Sequence, residues 1–259
     1  MHKYAKGCQY SRDRELDFRM PLDADSIKRT LGGRKMLITK SDEDAVGIHT
    51  VDFSEAPADR SQFIDYAKNH PDGLAVARGA PGNLFVTPYN DLYDENIAYM
   101  FSRWVAEEPW DMYAQHRLDI SPDWMLPQMA HDKTLRMREL DCSPTKKTTQ
   151  ALFYGAPDGT ICNIHYWQFE DSASRDDIYE TWSTDEGLAK TASFAGNITV
   201  SAFEAIDKEN QFVIVSAWEH EEFLRTYLKM RRDSADDHIQ PFYVDETMAQ
   251  GTIADPDLR

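Results

Sequence analysis

Two histidines stand at matched places in this chain. His49 lies in AVGIHTVDF (45–53) and His165 in TICNIHYWQF (160–169), each completing an Ile-His pair. An imidazole titrates near neutral pH, so in a water-poor cavity it can act as general base toward a phenol or a carbon acid. A core histidine that is hydrogen-bonded in both copies of a duplicated unit accounts for the same pattern. Other chemistry-bearing signatures are missing. There is no Gly-rich phosphate loop, no GxSxG elbow and no HxH or HExxH pair. Glu219-His220-Glu221-Glu222 reads as a solvated helix start, where acids are favoured. Trp104 and Trp218 read as packing at strand–helix corners rather than as a redox pair. Met125, Met129 and Met137 read as gap-fillers.

The elements that must position these residues come in duplicate. NLFVTPYNDLYDENIAYMFSRW (83–104) recurs 114 residues on as NITVSAFEAIDKENQFVIVSAW (197–218), without a gap. Asn83/Asn197, Val86/Val200, Glu95/Glu209, Asn96/Asn210, Ser102/Ser216 and Trp104/Trp218 are identical. Upstream, with one-residue slips, DGLA (72–75) matches EGLA (186–189), and Ile48-His49 matches Ile164-His165. The period is that of a small domain, not of a solenoid.

Each copy shows the same succession. A strand comes first, with His49, Val51 and Phe53, or His165, Trp167 and Phe169, on one face. A helix follows, Ser61–Asn69 or Asp176–Trp182. Two strands joined by a polar break come next, then a helix after each Trp (107–118 and 219–232), then a closing strand, TLRMREL (134–140) or PFYVDETM (241–248). The order β-α-β-β-α-β, twice, predicts an α+β chain of two ferredoxin-like repeats. Such a sheet carries helices on one face only, so two copies can cover each other sheet to sheet as a closed or nearly closed barrel. The expected boundaries are an arm at 1–44 with a short helix near Asp25–Leu31, repeat 1 at 45–141, repeat 2 at 150–250 and a tail at 251–259. Trp110, Trp124 and Pro127 mark a longer stretch in repeat 1 that suits a lid or an interface.

Composition narrows the function classes. A chain of 259 residues, 41% apolar and 12% aromatic, can build packed cores. A net charge of −17 argues against nucleic acid and against an anionic membrane as partners. No apolar run approaches the roughly 18 residues of a membrane span, and the first residues lack a secretory h-region. Cys8, Cys142 and Cys162 are odd in number and lack CxxC spacing, which suits a reducing cytoplasm and gives no support to a zinc site.

The chain resembles the dimeric α+β barrel superfamily, and most of all its antibiotic-biosynthesis-monooxygenase (ABM) type domains. The residues that carry the resemblance are FSRW (101–104), VSAWEHEEFLRTY (215–227) and EGLAKTASFAGNITVSAFEA (186–205). It covers about residues 45–250 and implies a pseudo-dimer within one chain, with a further homodimer left open. It implies a monooxygenase-like enzyme acting on a small apolar or aromatic metabolite with molecular oxygen, in secondary metabolism and without a cofactor. The base would be His165 or His49, with Asn163, Tyr227 and Arg103 as orienting donors, and Tyr166 and Trp167 as further candidates. The superfamily also holds heme enzymes. Their pattern of a first-strand Asn, an aromatic residue nine after the third-strand Trp and a later axial His maps onto Asn163, Tyr227 and His238, with Tyr227 where the family has Trp. On that alternative a heme b enzyme, oxygenase or aldoxime-dehydratase-like, would use His238 or His116 as axial ligand. A third reading is a non-catalytic binder with one degenerate copy.

Overall fold

A computed structural model gives the fold, and describes residues 44–54, 60–125, 133–144, 159–185, 187–233 and 243–253. All of these fall within one compact unit. The expected helix at Asp25–Leu31, Pro127, His131, His238 and most of the stretch between the repeats lie outside the described residues.

Repeat 1 runs β1 (Ala45–Asp52), α1 (Arg60–Asn69), α2 (Leu74–Gly79), β2 (Asn83–Asp91), β3 (Ile97–Trp104), α3 (Glu107–Ile120) and β4 (Lys133–Glu139). Repeat 2 runs β5 (Ile161–Phe169), α4 (Ser172–Trp182), α5 (Leu188–Ser193), β6 (Asn197–Ala205), β7 (Gln211–Trp218), α6 (Glu221–Asp233) and β8 (Tyr243–Ile253). The short helices α2 and α5 add one element per repeat to the expected succession. They occupy the DGLA and EGLA segments, where Gly73 and Gly187 lie against the carbonyls of the preceding helix too closely for a Cβ.

The eight strands close into an antiparallel barrel in the order β1-β3-β2-β8-β5-β7-β6-β4. Each half is the ferredoxin-like sheet, β4-β1-β3-β2 and its copy β8-β5-β7-β6. The halves join by hydrogen-bonded edges as well as by facing sheets. Tyr89–Asp91 of β2 pair with Gly251–Ile253 of β8, and Met137–Glu139 of β4 pair with Phe203–Ala205 of β6. This explains why β8 continues to Ile253, into the stretch expected to be a tail: its last residues find their partners in the other repeat. Each of these eight described strands pairs on both sides, which removes the usual template for aggregation.

The two halves share one register. Ala45 faces Trp104 and His49 faces Met100, as Ile161 faces Trp218 and His165 faces Ile214. The repeated Asn83 and Asn197 sit at the same bulge, and each donates its amide to the carbonyl two residues on, Phe85 at 3.3 Å and Thr199 at 3.2 Å. The repeated Ser102 and Ser216 accept the indole N–H of Trp104 and Trp218 at 3.1 and 2.9 Å. The main-chain carbonyls of Asn96 and Asn210 accept the backbone N–H of Phe53 and Phe169, at 2.9 Å. Thus Asn83/Asn197, Ser102/Ser216 and Trp104/Trp218, three of the six identities, hold the frame through their side chains.

Alternation sends one face of every strand into the barrel. Val46, Ile48, Phe85, Phe101, Met137, Ile164, Phe203 and Val215 fill it, contributed by both sheets. Arg103 is also inside, 1% exposed. Its Nε donates to Asp44 at 2.9 Å, and a terminal nitrogen lies 2.7 Å from Asp44 and 3.2 Å from Glu139. Two carboxylates around one guanidinium satisfy a charge that would otherwise be costly to bury. The other strand faces point outward to the helices, and there the two repeats part ways.

Candidate active site

Between the outer face of the first sheet and α1, α2 and α3 lies a cavity of about 220 Å³. Two small residues, Val51 and Ala67, border it, and a third, Ala98, pairs with Val51 behind them. Val51 and Ala98 are cross-strand partners, as are Trp167 and Phe212 in repeat 2. The Gly73 and Gly187 contacts align Ala67 with Trp182. Where repeat 1 has Val51, Ala67 and Ala98, repeat 2 therefore has Trp167, Trp182 and Phe212. In repeat 2 those rings pack edge to face, Trp167 to Trp182 at 5.5 Å and Trp182 to Phe212 at 5.3 Å between centroids. In repeat 1 the same space is open, and Val51 and Ala67 line it.

The polar groups at this cavity come from four elements, β1, β3 with Ser102, β4 and α3. His49 on β1 is half-buried, and its Nδ1 lies 2.9 Å from the Thr134 hydroxyl on β4. Its ring meets the edge of Trp110 at 5.8 Å. Trp110 can lie there because residue 47 is glycine: a Cβ would fall 2.3 Å from the indole. Arg136 stacks on the same indole at 4.9 Å. On α3, Tyr113 packs on Trp104 at 5.0 Å, and burial pushes its phenol up from the ordinary tyrosine range, an effect opposed by the nearby Arg117. One turn further on, Arg117 donates to the Asp72 carbonyl and to the Met125 sulfur, and lies 5.4 Å over the Tyr66 ring. These contacts hold the guanidinium at the cavity wall. Leu118, about half exposed, and the exposed Thr134 mark where the cavity reaches the surface.

Neither a family model nor a curated protein matches the sequence. Solved structures do match in shape. An anthrone oxidase-like protein superposes with a TM-score of 0.59 at 11% identity, over 84% of this chain and 94% of its own. A candidate chlorite dismutase gives 0.57 at 11% identity, over 83% and 96%. A candidate monooxygenase from Lactobacillus acidophilus NCFM gives 0.54 at 13% identity, over 81% and 93%. This chain shares the α+β barrel fold of these structures.

In this fused α+β barrel the residues singled out from sequence fall in three places. Of the candidate bases, donors and axial ligands, His49 alone lines the described cavity, beside Trp104, Trp110 and Met125. Asn163, His165 and Tyr227 belong to the helix-facing side of repeat 2. There Asn163 is buried with its carbonyl oxygen lacking a hydrogen bond, and His165 meets the edge of Trp167 at 5.1 Å. Tyr227 packs on Trp218 at 4.9 Å and shares a 2.6 Å hydrogen bond with Thr191. Arg103 is not at either helix-facing side. It neighbours Trp104 in sequence, so alternation turns it into the barrel, where the Asp44 and Glu139 pair occupies it. Tyr166 likewise lies on the barrel side, and Trp167 is core. His116 is on α3 but does not line the cavity, and His238 lies outside the described residues.

Two residues at the cavity were not singled out from sequence. Tyr113 stands nine residues after Trp104, as Tyr227 does after Trp218, so the repeat itself carried the signal. Thr191, the partner of Tyr227, corresponds to Ala77, so the Tyr113 hydroxyl lacks that hydrogen bond. Arg117 had no local signal, because what marks it is its neighbours in space.

Proposed function

We propose that this chain is an oxidoreductase of the monooxygenase kind, and that it oxidises a small, largely apolar or aromatic molecule in the cavity of repeat 1. The observation that carries the reading is a mostly apolar cavity with a single imidazole, His49, in its lining. A cavity of about 220 Å³ exceeds the roughly 150 Å³ that takes up benzene and falls below the roughly 300–1,000 Å³ of drug-sized sites. It suits one or two rings. His49 accepts a proton from an acidic O–H or C–H, with Thr134 fixing the ring orientation through Nδ1. The resulting anion is electron-rich enough to react with dioxygen. In the overall change a CH₂ group becomes a carbonyl, one oxygen atom enters the product and the other leaves as water. The names carried by two structures of the same fold, an anthrone oxidase-like protein and a candidate monooxygenase, favour this chemistry.

The repeat 1 cavity is smaller than the sites of drug-sized ligands, which favours a cofactor-free reaction there. A hemin titration separates this reading from the heme alternative: the cofactor-free reading expects no saturable Soret band.

Oxygen uptake with a panel of one- and two-ring phenols and anthrone-like carbon acids tests the reading. His49→Ala should lower turnover by about 10²–10⁴-fold, the usual contribution of a general base. His165→Ala should leave it near that of the parent. Equal activity in His49→Ala removes the base from repeat 1. Ligand-induced stabilisation without oxygen uptake on any substrate makes the chain a binder instead.

A further inference from the structure

Among the described residues, the lining of the repeat 1 cavity contains no aspartate and no glutamate, although the chain has 45. Its charged member is Arg117. A guanidinium has five N–H donors in a planar fork. The Asp72 carbonyl and the Met125 sulfur each take one, the Tyr66 hydroxyl takes another, and the Tyr66 ring lies over a face. Donors remain on the fork beside a space bounded by Val51, Phe63, Ala67 and Leu74. Arg231 occupies the matching position of repeat 2, so the cation came with the duplicated unit. What is particular to repeat 1 is the emptied space next to it.

We infer that the cavity selects an anion: a one- or two-ring aromatic carboxylate whose carboxylate is anchored by Arg117 and whose rings occupy the space left by Val51 and Ala67. This rests on the cavity being the ligand site. A carboxylate matches the planar fork, and the apolar surround strengthens the charge-assisted bond. The chain's net charge of −17 repels such a ligand at long range, so the anchor must act at contact, and association should quicken as salt screens the repulsion.

The test compares 2-naphthoate with its neutral isostere 2-naphthamide on the full chain, read by quenching of Trp104 and Trp110, which line the cavity. The acid should bind at least about tenfold tighter than the amide, the lower end of what a hydrogen bond to a charged group contributes. Arg117→Gln should bring the two to equal affinity, and Arg117→Lys should keep part of the preference. Ala67→Trp should abolish binding of both. If acid and amide bind alike while Ala67→Trp still blocks both, the anion anchor is wrong and the cavity stands. If the preference survives Arg117→Gln, the anchor is also wrong. If neither probe binds, or Ala67→Trp changes nothing, the cavity is not the ligand site and the functional reading falls with it. Should Arg117→Gln fail to fold, the acid-to-amide ratio in the parent and in Arg117→Lys decides.

Discussion

The two halves of the barrel share a backbone register and differ in what fills it. Repeat 2 closes its helix–sheet interface with Trp167, Trp182 and Phe212. Repeat 1 puts Val51, Ala67 and Ala98 at the same places, and the removed side chains become a cavity. The frame positions, Asn83/Asn197 at the bulge and Ser102/Ser216 under the indoles, are untouched by this divergence. The two copies thus differ in side-chain volume at these places while keeping one backbone plan.

Exchanging the fillers should break the comparison most visibly. Trp182→Ala should destabilise the chain by about 3–5 kcal/mol, as large-to-small changes in a core do. Ala67→Trp should cost much less, within the roughly 1–3 kcal/mol of overpacking, because space is waiting for the ring. Chemical denaturation of both variants checks this, and equal costs would mean that the repeat 1 cavity does not persist in solution. Gly47→Ala comes next. Its Cβ would meet Trp110 at 2.3 Å, so a loss of about 1–3 kcal/mol is expected. Combining Gly47→Asn with Trp110→Leu imports the repeat 2 pair Asn163 and Leu224, and should recover much of that loss. A smaller effect separates the two tyrosines. Tyr227→Phe removes the 2.6 Å bond to Thr191 and should cost about 1 kcal/mol, whereas Tyr113→Phe, facing Ala77, should be near neutral.

A separate effect concerns pH. Burial in the barrel pushes the Cys162 thiol up to about 12, and raises the phenols of Tyr89, Tyr99 and Tyr166. Groups raised in the folded state contribute stability that is fully present below their unfolded values, about 8.5 for the thiol and about 10 for the phenols. That contribution is lost as pH rises toward their folded values. Tm should therefore decline steadily from about pH 8.5 upward. At pH 8 a thiol reagent should label the half-buried Cys142 and spare Cys162 until the chain unfolds.

The fold was legible because the copies agree where the frame needs them to. An Asn at a bulge, a Ser under a Trp and a β-α-β-β-α-β order survive as identities or as periodicity. The cavity was not legible, because it depends on residues from three elements meeting in space. The matching also slips, from 114 residues on β2 to 115 on α1 and 116 on β1, so Ala67 and Trp182 do not line up in a gapless comparison. His49 was found through its pairing with His165. Arg103 was misjudged as a donor although alternation beside the outward-facing Trp104 turns it into the barrel, toward Asp44.

Both seams of the barrel, β2 to β8 and β4 to β6, join segments of a single polypeptide. A homodimer of separate protomers would come apart on dilution and would carry every substitution twice, once on each side of its axis. Here the pairing is independent of protein concentration, and a substitution on one side leaves the other untouched. Fusion thus releases each half from the symmetry that a two-chain barrel enforces, and one half can keep the closed packing while the other takes up a ligand.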